Sequence, residues 1–174
     1  LYKDMRYISA MGPPGGGRNN VDPRFIALFG VINLTPPKEE TLSYVYTSIL
    51  SQYFAPFSDA IKAKASSLMD PLLDVYNTCR ERLPATPSKF HYLFNIRDIG
   101  RVVEGCCLAT PDKFTELNQL VRLLRHEILR IFSDRLVDGE DRSVINSKLD
   151  ESMSSHFGGQ KEYAMNNPLI FGDF

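Results

Sequence analysis

Arg97 stands where a cation is least at home. In Asn95-Ile96-Arg97-Asp98-Ile99-Gly100-Arg101, Asn95 suits an N-cap and opens a helix running to about Gly105, which makes Arg97 its second residue. A positive charge in the first turn opposes the helix macrodipole, so something other than helix stability must favour it there. Arg101 follows one turn later on the same face. Two guanidinium groups one turn apart suit phosphate oxygens or carboxylates, and surface pairing with Asp98 or Glu104 answers the same pattern. Arg24 comes after Asp22-Pro23 and before an apolar run. That edge either holds an arginine rigidly for a neighbour's phosphate or simply leaves it solvated. The region after Pro111 carries Arg122, Arg125, Arg130 and Arg135 with Glu116 and Glu127 among them, by default a solvated face with acidic partners. These positions partly share a face, which leaves contact with an acidic partner surface open.

Other chemistries fail on spacing. Gly12-Pro13-Pro14-Gly15-Gly16-Gly17-Arg18 is glycine-rich, but a phosphate loop needs GxxxxGK[ST] leading into a helix, and Arg18 is followed by Asn19-Asn20. It reads as a tight connection between strands. No Ser/His/Asp or Cys/His set has interpretable spacing. Cys79, Cys106 and Cys107 are odd in number with an adjacent pair, which favours reduced, mostly buried thiols. His91, His126 and His156 share no ligand-like spacing with them, so no metal is assigned. A net charge of -1 calls for neither nucleic acid nor an anionic membrane, and the arginines lack exposed aromatic neighbours for base stacking. No apolar run reaches the roughly 20 residues that span a bilayer.

The elements that must position these arginines change character along the 174 residues. Residues 6–11 and the apolar, branched run at 25–34 suit two strands flanking the glycine-rich loop, torn from an α/β sheet whose remainder is expected upstream. Pro36-Pro37 closes the second. From Lys38 the period turns helical, with Leu42, Val45, Tyr46, Ile49, Leu50 and Tyr53 on one stripe. A second stripe runs from Ser58 to Leu83, kinked at Pro71 or divided into two helices there. After the helix capped by Asn95, Thr110-Pro111-Asp112 is expected to start a long helix reaching Leu136 and stopped by Asp138-Gly139. A last amphipathic stretch spans Val144 to Phe157 before Gly158-Gly159. The expected fold is mainly α: residues 38–174 a helical lid, preceded by two strands in residues 1–37 from the end of an α/β sheet.

The order of residues resembles one family, the dynein heavy chains, and among them the axonemal type. Ala10-Met11-Gly12-Pro13-Pro14-Gly15-Gly16-Gly17-Arg18-Asn19 and Val21-Asp22-Pro23-Arg24-Phe25 are similar to the family's stretch around the sensor 1 strand and arginine finger of the third AAA+ module. Leu83-Pro84-Ala85-Thr86-Pro87-Ser88-Lys89-Phe90-His91-Tyr92, leading into residues 94–102, resembles its sensor 2 helix. Arg125-His126-Glu127, residues 130–136 and the closing residues 168–174 resemble the later lid and the junction to the next module.

The resemblance implies that the α/β sheet is that of a P-loop NTPase, that Arg97 is the sensor 2 arginine, reaching the nucleotide of its own module, and that Arg24 is an arginine finger acting in trans on the preceding one. It implies ATP or ADP with Mg in the complete module and none for this stretch alone, since the phosphate loop and acidic Walker B strand lie upstream in such modules. Gly12 stands where many AAA+ proteins carry a water-orienting Asn. Glycine has no side chain for that, which counts against efficient hydrolysis in this module and leaves nucleotide-dependent regulation open. The implied partners are neighbouring AAA+ modules and, through the parent complex, intermediate and light chains and microtubules, in the cytoplasm and the ciliary axoneme. The alternative is a non-enzymatic helical scaffold of the same fold that only packs against neighbours.

Overall fold

Leu42, Leu50, Phe54, Phe57 and Ile61 are the first residues along the chain to enter a core, and every α-helix from there to Ala164 adds to it. The computed structural model describes residues 3–14, 19–166 and 168–172. The element order is a single turn α1 (Pro23–Ile26), then α2 (Glu39–Tyr53), α3 (Asp59–Lys64), α4 (Met69–Arg82), α5 (Ile96–Cys106), α6 (Leu117–Ile128), α7 (Gly139–His156) and α8 (Lys161–Met165). The molecule is mainly helical, as expected of a lid. Its most extensive pairing is α4 on α7, followed by α6 against both α5 and α8, with α2 in contact with α4 and α5.

The two expected strands do not form. Residues 6–11 are irregular, and the run at 25–34 begins as the helical turn α1 and continues without regular structure. The local reason is Asp22-Pro23: the Asp22 side chain accepts the backbone N–H of Arg24 at 2.8 Å and proline occupies the first helical position. The wider reason is that a strand needs a ladder, and the described residues offer only one isolated bridge, Thr86 to Lys89, far from this run. Gly15, Gly16, Gly17 and Arg18, the centre of the glycine-rich loop, lie outside the described residues.

Helix boundaries follow capping more than periodicity. Pro71 is the third residue of α4, in the first turn where its missing N–H costs no intrahelical bond, and a 3-10 turn (Ser66–Leu68) separates α3 from α4. The region is two helices, not one kinked helix. Thr110-Pro111 does not start α6. The Gln119 side chain accepts the backbone N–H groups of Thr115 and Glu116, at 2.9 and 3.1 Å, and that closure sets the start at Leu117. The expected long helix also breaks: Leu129–Ser133 is a π turn, closed by Asp134 N–H on Leu129 O at 3.0 Å. Asp138 precedes α7 and Gly139 is its first residue, so the pair opens a helix instead of ending one.

Candidate functional site

α5 opens with a complete capping box. Asn95 Oδ1 accepts the Arg97 backbone N–H at 2.9 Å, and the Asp98 carboxylate accepts the Asn95 N–H at 2.9 Å. Asp98 is only 2% exposed. A buried carboxylate needs a cation, and two serve it: Arg135 Nη2 at 2.9 Å and Arg101 Nη1 at 3.7 Å. The start of α5 is held from the opposite side by Tyr46 of α2, whose hydroxyl donates to Ile96 O at 3.4 Å. Burial, with a further push from Tyr76, raises the Tyr46 phenol above its ordinary value and keeps it a donor.

This arrangement separates the two arginines singled out by spacing. Arg101 takes the surface pairing with Asp98. Arg97 is exposed, and its side chain has no ion pair or hydrogen bond among the described residues. The capping box therefore presents a cation with no carboxylate of its own at the N-terminal turn of a rigidly held helix. Arg24 is also exposed and unpaired among the described residues. It sits on α1, and no hydrogen bond or ion pair among the described residues ties residues 3–37 to the helices. The structure does not bring Arg24 and Arg97 into one site.

Of Arg122, Arg125, Arg130 and Arg135, only Arg130 keeps the expected exposed position with a local acidic partner, Glu127. Arg122 donates to Tyr163 O at 3.2 Å and Pro168 O at 2.6 Å, fastening α6 to the C-terminal residues. Arg125 pairs with Asp150 of α7 at 3.4 Å, and Arg130 takes Glu127 through Nε and Nη2, at 3.1 and 2.5 Å. Arg135 lies over the Phe94 ring, 4.9 Å from its centroid, as well as on Asp98. Spacing pointed to the local Glu127–Arg130 pair but could not reveal those of Arg125 and Arg135, because Asp150 and Asp98 belong to other helices. The only local signal was Asp98 three residues after an N-cap, which marks a capping box and not the buried ion pair.

Nucleophilic and metal chemistry find no footing among the described residues. The three thiols are free. Burial pushes Cys79 up to about 12, against the pull of Arg135 and with a lesser push from Asp98. Burial also raises Cys106 and Cys107. Among the described residues no group of His, Cys, Asp and Glu is placed to hold a metal, and no helix is long and apolar enough to cross a membrane. The larger surface concavity, about 670 Å³ between α4 and α7, is lined by Thr78, Arg82, Ser147 and Glu151 among others and touches neither Arg24 nor Arg97.

With this geometry in place, comparison with known proteins is specific. Residues 45–142 match the family model described as "Dynein heavy chain, ATPase lid domain", and residues 2–37 match "P-loop containing dynein motor region". The helical bundle is thus an ATPase lid. Among similar proteins, "Dynein axonemal heavy chain 10" of Homo sapiens is 43% identical over 172 residues, 99% of this chain and 4% of that relative. "Dynein-1-alpha heavy chain, flagellar inner arm I1 complex" of Chlamydomonas reinhardtii is 41% identical over 174 residues, again 99% of this chain and 4% of the relative. "Dynein axonemal heavy chain 2" of Mus musculus is 38% identical over the same span. The chain belongs to the dynein heavy chains, as the resemblance implied, and spans about 4% of the length of these relatives.

Proposed function

We propose that this chain is the lid and adjoining segment of one ATPase module, the third, in an axonemal dynein heavy chain, and that it couples nucleotide state to ring geometry. Arg97 reaches the nucleotide phosphates of its own module when the lid closes. Arg24 acts in trans at the preceding module. The observation that carries this reading is the contrast between Arg97 and its neighbours. Arg101 and Arg135 are both paired with Asp98, whereas Arg97, the residue next to Asp98 in sequence, is exposed and unpaired among the described residues. A cation at a helix N-terminus is stabilised once an anion joins it, because the anion meets both the charge and the positive end of the helix dipole.

ATP or ADP with Mg fits this chain at one point only. Arg97 offers a guanidinium to phosphate oxygens, while the chain carries no GxxxxGK[ST] loop and, among the described residues, no metal-ligating cluster. Bound in the complete module, Mg would neutralise charge on the β- and γ-phosphate oxygens. Contact with neighbouring modules falls to residues 3–37, where Phe25, Leu28 and Ile32 are exposed. Intermediate and light chains, microtubules and an axonemal location follow for the parent, in line with the axonemal and flagellar names of its relatives.

The test uses a complete heavy-chain motor, with nucleotide followed at individual modules by azido-ATP photolabelling and peptide mass spectrometry. Arg97→Ala is expected to weaken labelling of its own module by about tenfold, the loss of one charge-assisted contact. Arg24→Ala is expected to alter turnover or release at the preceding module and leave its own unchanged. If both variants change stability alone, the scaffold reading replaces this one.

A further inference from the structure

A groove of about 390 Å³ lined by His91, Arg101, Arg130, Ile131 and Arg135 looks at first like an anion site. Its guanidinium groups are already answered: Arg130 by Glu127, Arg101 and Arg135 by Asp98. What the groove contains instead is a brace. Arg135 is held at each nitrogen, with Nε on Ile131 O at 2.7 Å, Nη1 at 3.5 Å from Leu93 O and Nη2 on Asp98, and its guanidinium carbon lies 4.9 Å from the Phe94 ring centroid and 5.9 Å from that of Phe132. From Asp98 the contacts run on without a gap. The carboxylate holds the Asn95 N–H, and the Asn95 side chain holds the Arg97 N–H. The π turn at Leu129–Ser133 lies directly before this arginine and supplies the Ile131 carbonyl that holds it.

We propose that Arg135 is the positioning residue for Arg97, setting the direction of the first turn of α5 through Asp98 and Asn95. The proposal rests on the reading of Arg97 as the nucleotide-contacting arginine. Arg135 itself touches no nucleotide. Its fork of three nitrogens is what the geometry uses, because one ammonium cannot reach Asp98, Ile131 O and Leu93 O at once.

The test pairs Arg135→Lys and Asp98→Asn with Arg97→Ala, alone and combined, in the complete motor. Asp98→Asn keeps an acceptor for the Asn95 N–H and loses the ion pair, so it serves if Arg135→Lys fails to fold. Each is expected to weaken azido-ATP labelling of this module by about tenfold when Arg97 is present, and to add nothing once Arg97 is alanine, the non-additivity of residues acting through one another. Without nucleotide, amide hydrogen exchange at residues 96–99 is expected to quicken in both. Losses that add to that of Arg97→Ala, or unchanged labelling or exchange in a folded Arg135→Lys or Asp98→Asn motor, overturn the proposal. A silent Arg97→Ala instead removes the nucleotide reading, and the proposal with it.

Discussion

A side chain in this lid is best understood by the charge it answers, and Lys89 shows how far that reaches. It lies in the connection between α4 and α5, yet its ammonium bridges Asp138 and Asp141, at 2.6 Å each, at the start of α7. Tyr92 completes the cluster by donating to Asp141 at 2.8 Å and accepting the Val137 N–H at 3.0 Å. The hydrogen bond from Lys89, with a further one from Tyr92 and against the effect of burial, holds the Asp141 carboxyl below its ordinary value. Hydrogen bonds that it donates to Asp138 and Asp141 hold the Lys89 ammonium above its own. The signs follow. Asp141's contribution is complete above its unfolded value of about 3.9 and is lost as pH falls through its lower folded one. Lys89's contribution is complete below about 10.4 and is lost only as pH rises through its higher folded value. Lys89→Met is therefore expected to be less stable than the parent at pH 7, with the gap closing as pH drops below that carboxylate range, read from urea unfolding across a pH series. A gap that stays constant to strongly acid pH would show that the lysine contributes packing and not charge.

At the scale of elements, what the sequence disclosed and what it hid divide by range. Asn95 with Asp98 three residues on, the helix carrying Leu42 to Tyr53, and the last stripe ending at Phe157 were legible, because caps and periodicity are local, although Val45, Ile49 and Tyr53 of the first stripe stay exposed. The start of α6, the π turn and the Asp98–Arg135 pair were not, because each depends on a side-chain closure or a partner on another helix. The exposed Arg97 was legible as an anomaly, though not the reason its neighbours are paired and it is not. The crossing of α5 and α6 gives a case where local and long-range rules disagree in sign. Helix propensity alone says that Gly105→Ala in α5 should stabilise by roughly 0.5–1 kcal/mol. A methyl there would run into the carboxylate of Glu127, which is pinned by Arg130 and 9% exposed. Overpacking of this kind costs about 1–3 kcal/mol. Gly105→Ala is expected to lower the melting temperature by roughly 3–10 °C. A raised one would mean that Glu127 swings aside freely and that the close crossing of α5 and α6 is not what selects glycine.

The whole molecule is uneven: a packed bundle from Leu42 to Ala164, and ahead of it a segment that contributes nothing to that core among the described residues. Leu28, Ile32 and Leu34 are each at least 80% exposed, and Ile8 is 98% exposed. Fully burying one such side chain is worth about 1.5–3 kcal/mol, so several together strongly favour whatever surface covers them. For the 174-residue chain by itself the available cover is another copy. It is expected to self-associate at micromolar concentration in size-exclusion chromatography with light scattering, while residues 38–174 alone run as a monomer with an undiminished helical circular dichroism signal. The contrast also bears on Arg24. An arginine on α1 is held rigidly only when Phe25 and its neighbours are covered, so the in-trans role proposed for Arg24 requires a covering partner that the separate chain does not supply. A monodisperse 174-residue monomer would mean that residues 25–34 find cover within the chain itself, and a trans-acting Arg24 would then have to pull them off that cover before it could act.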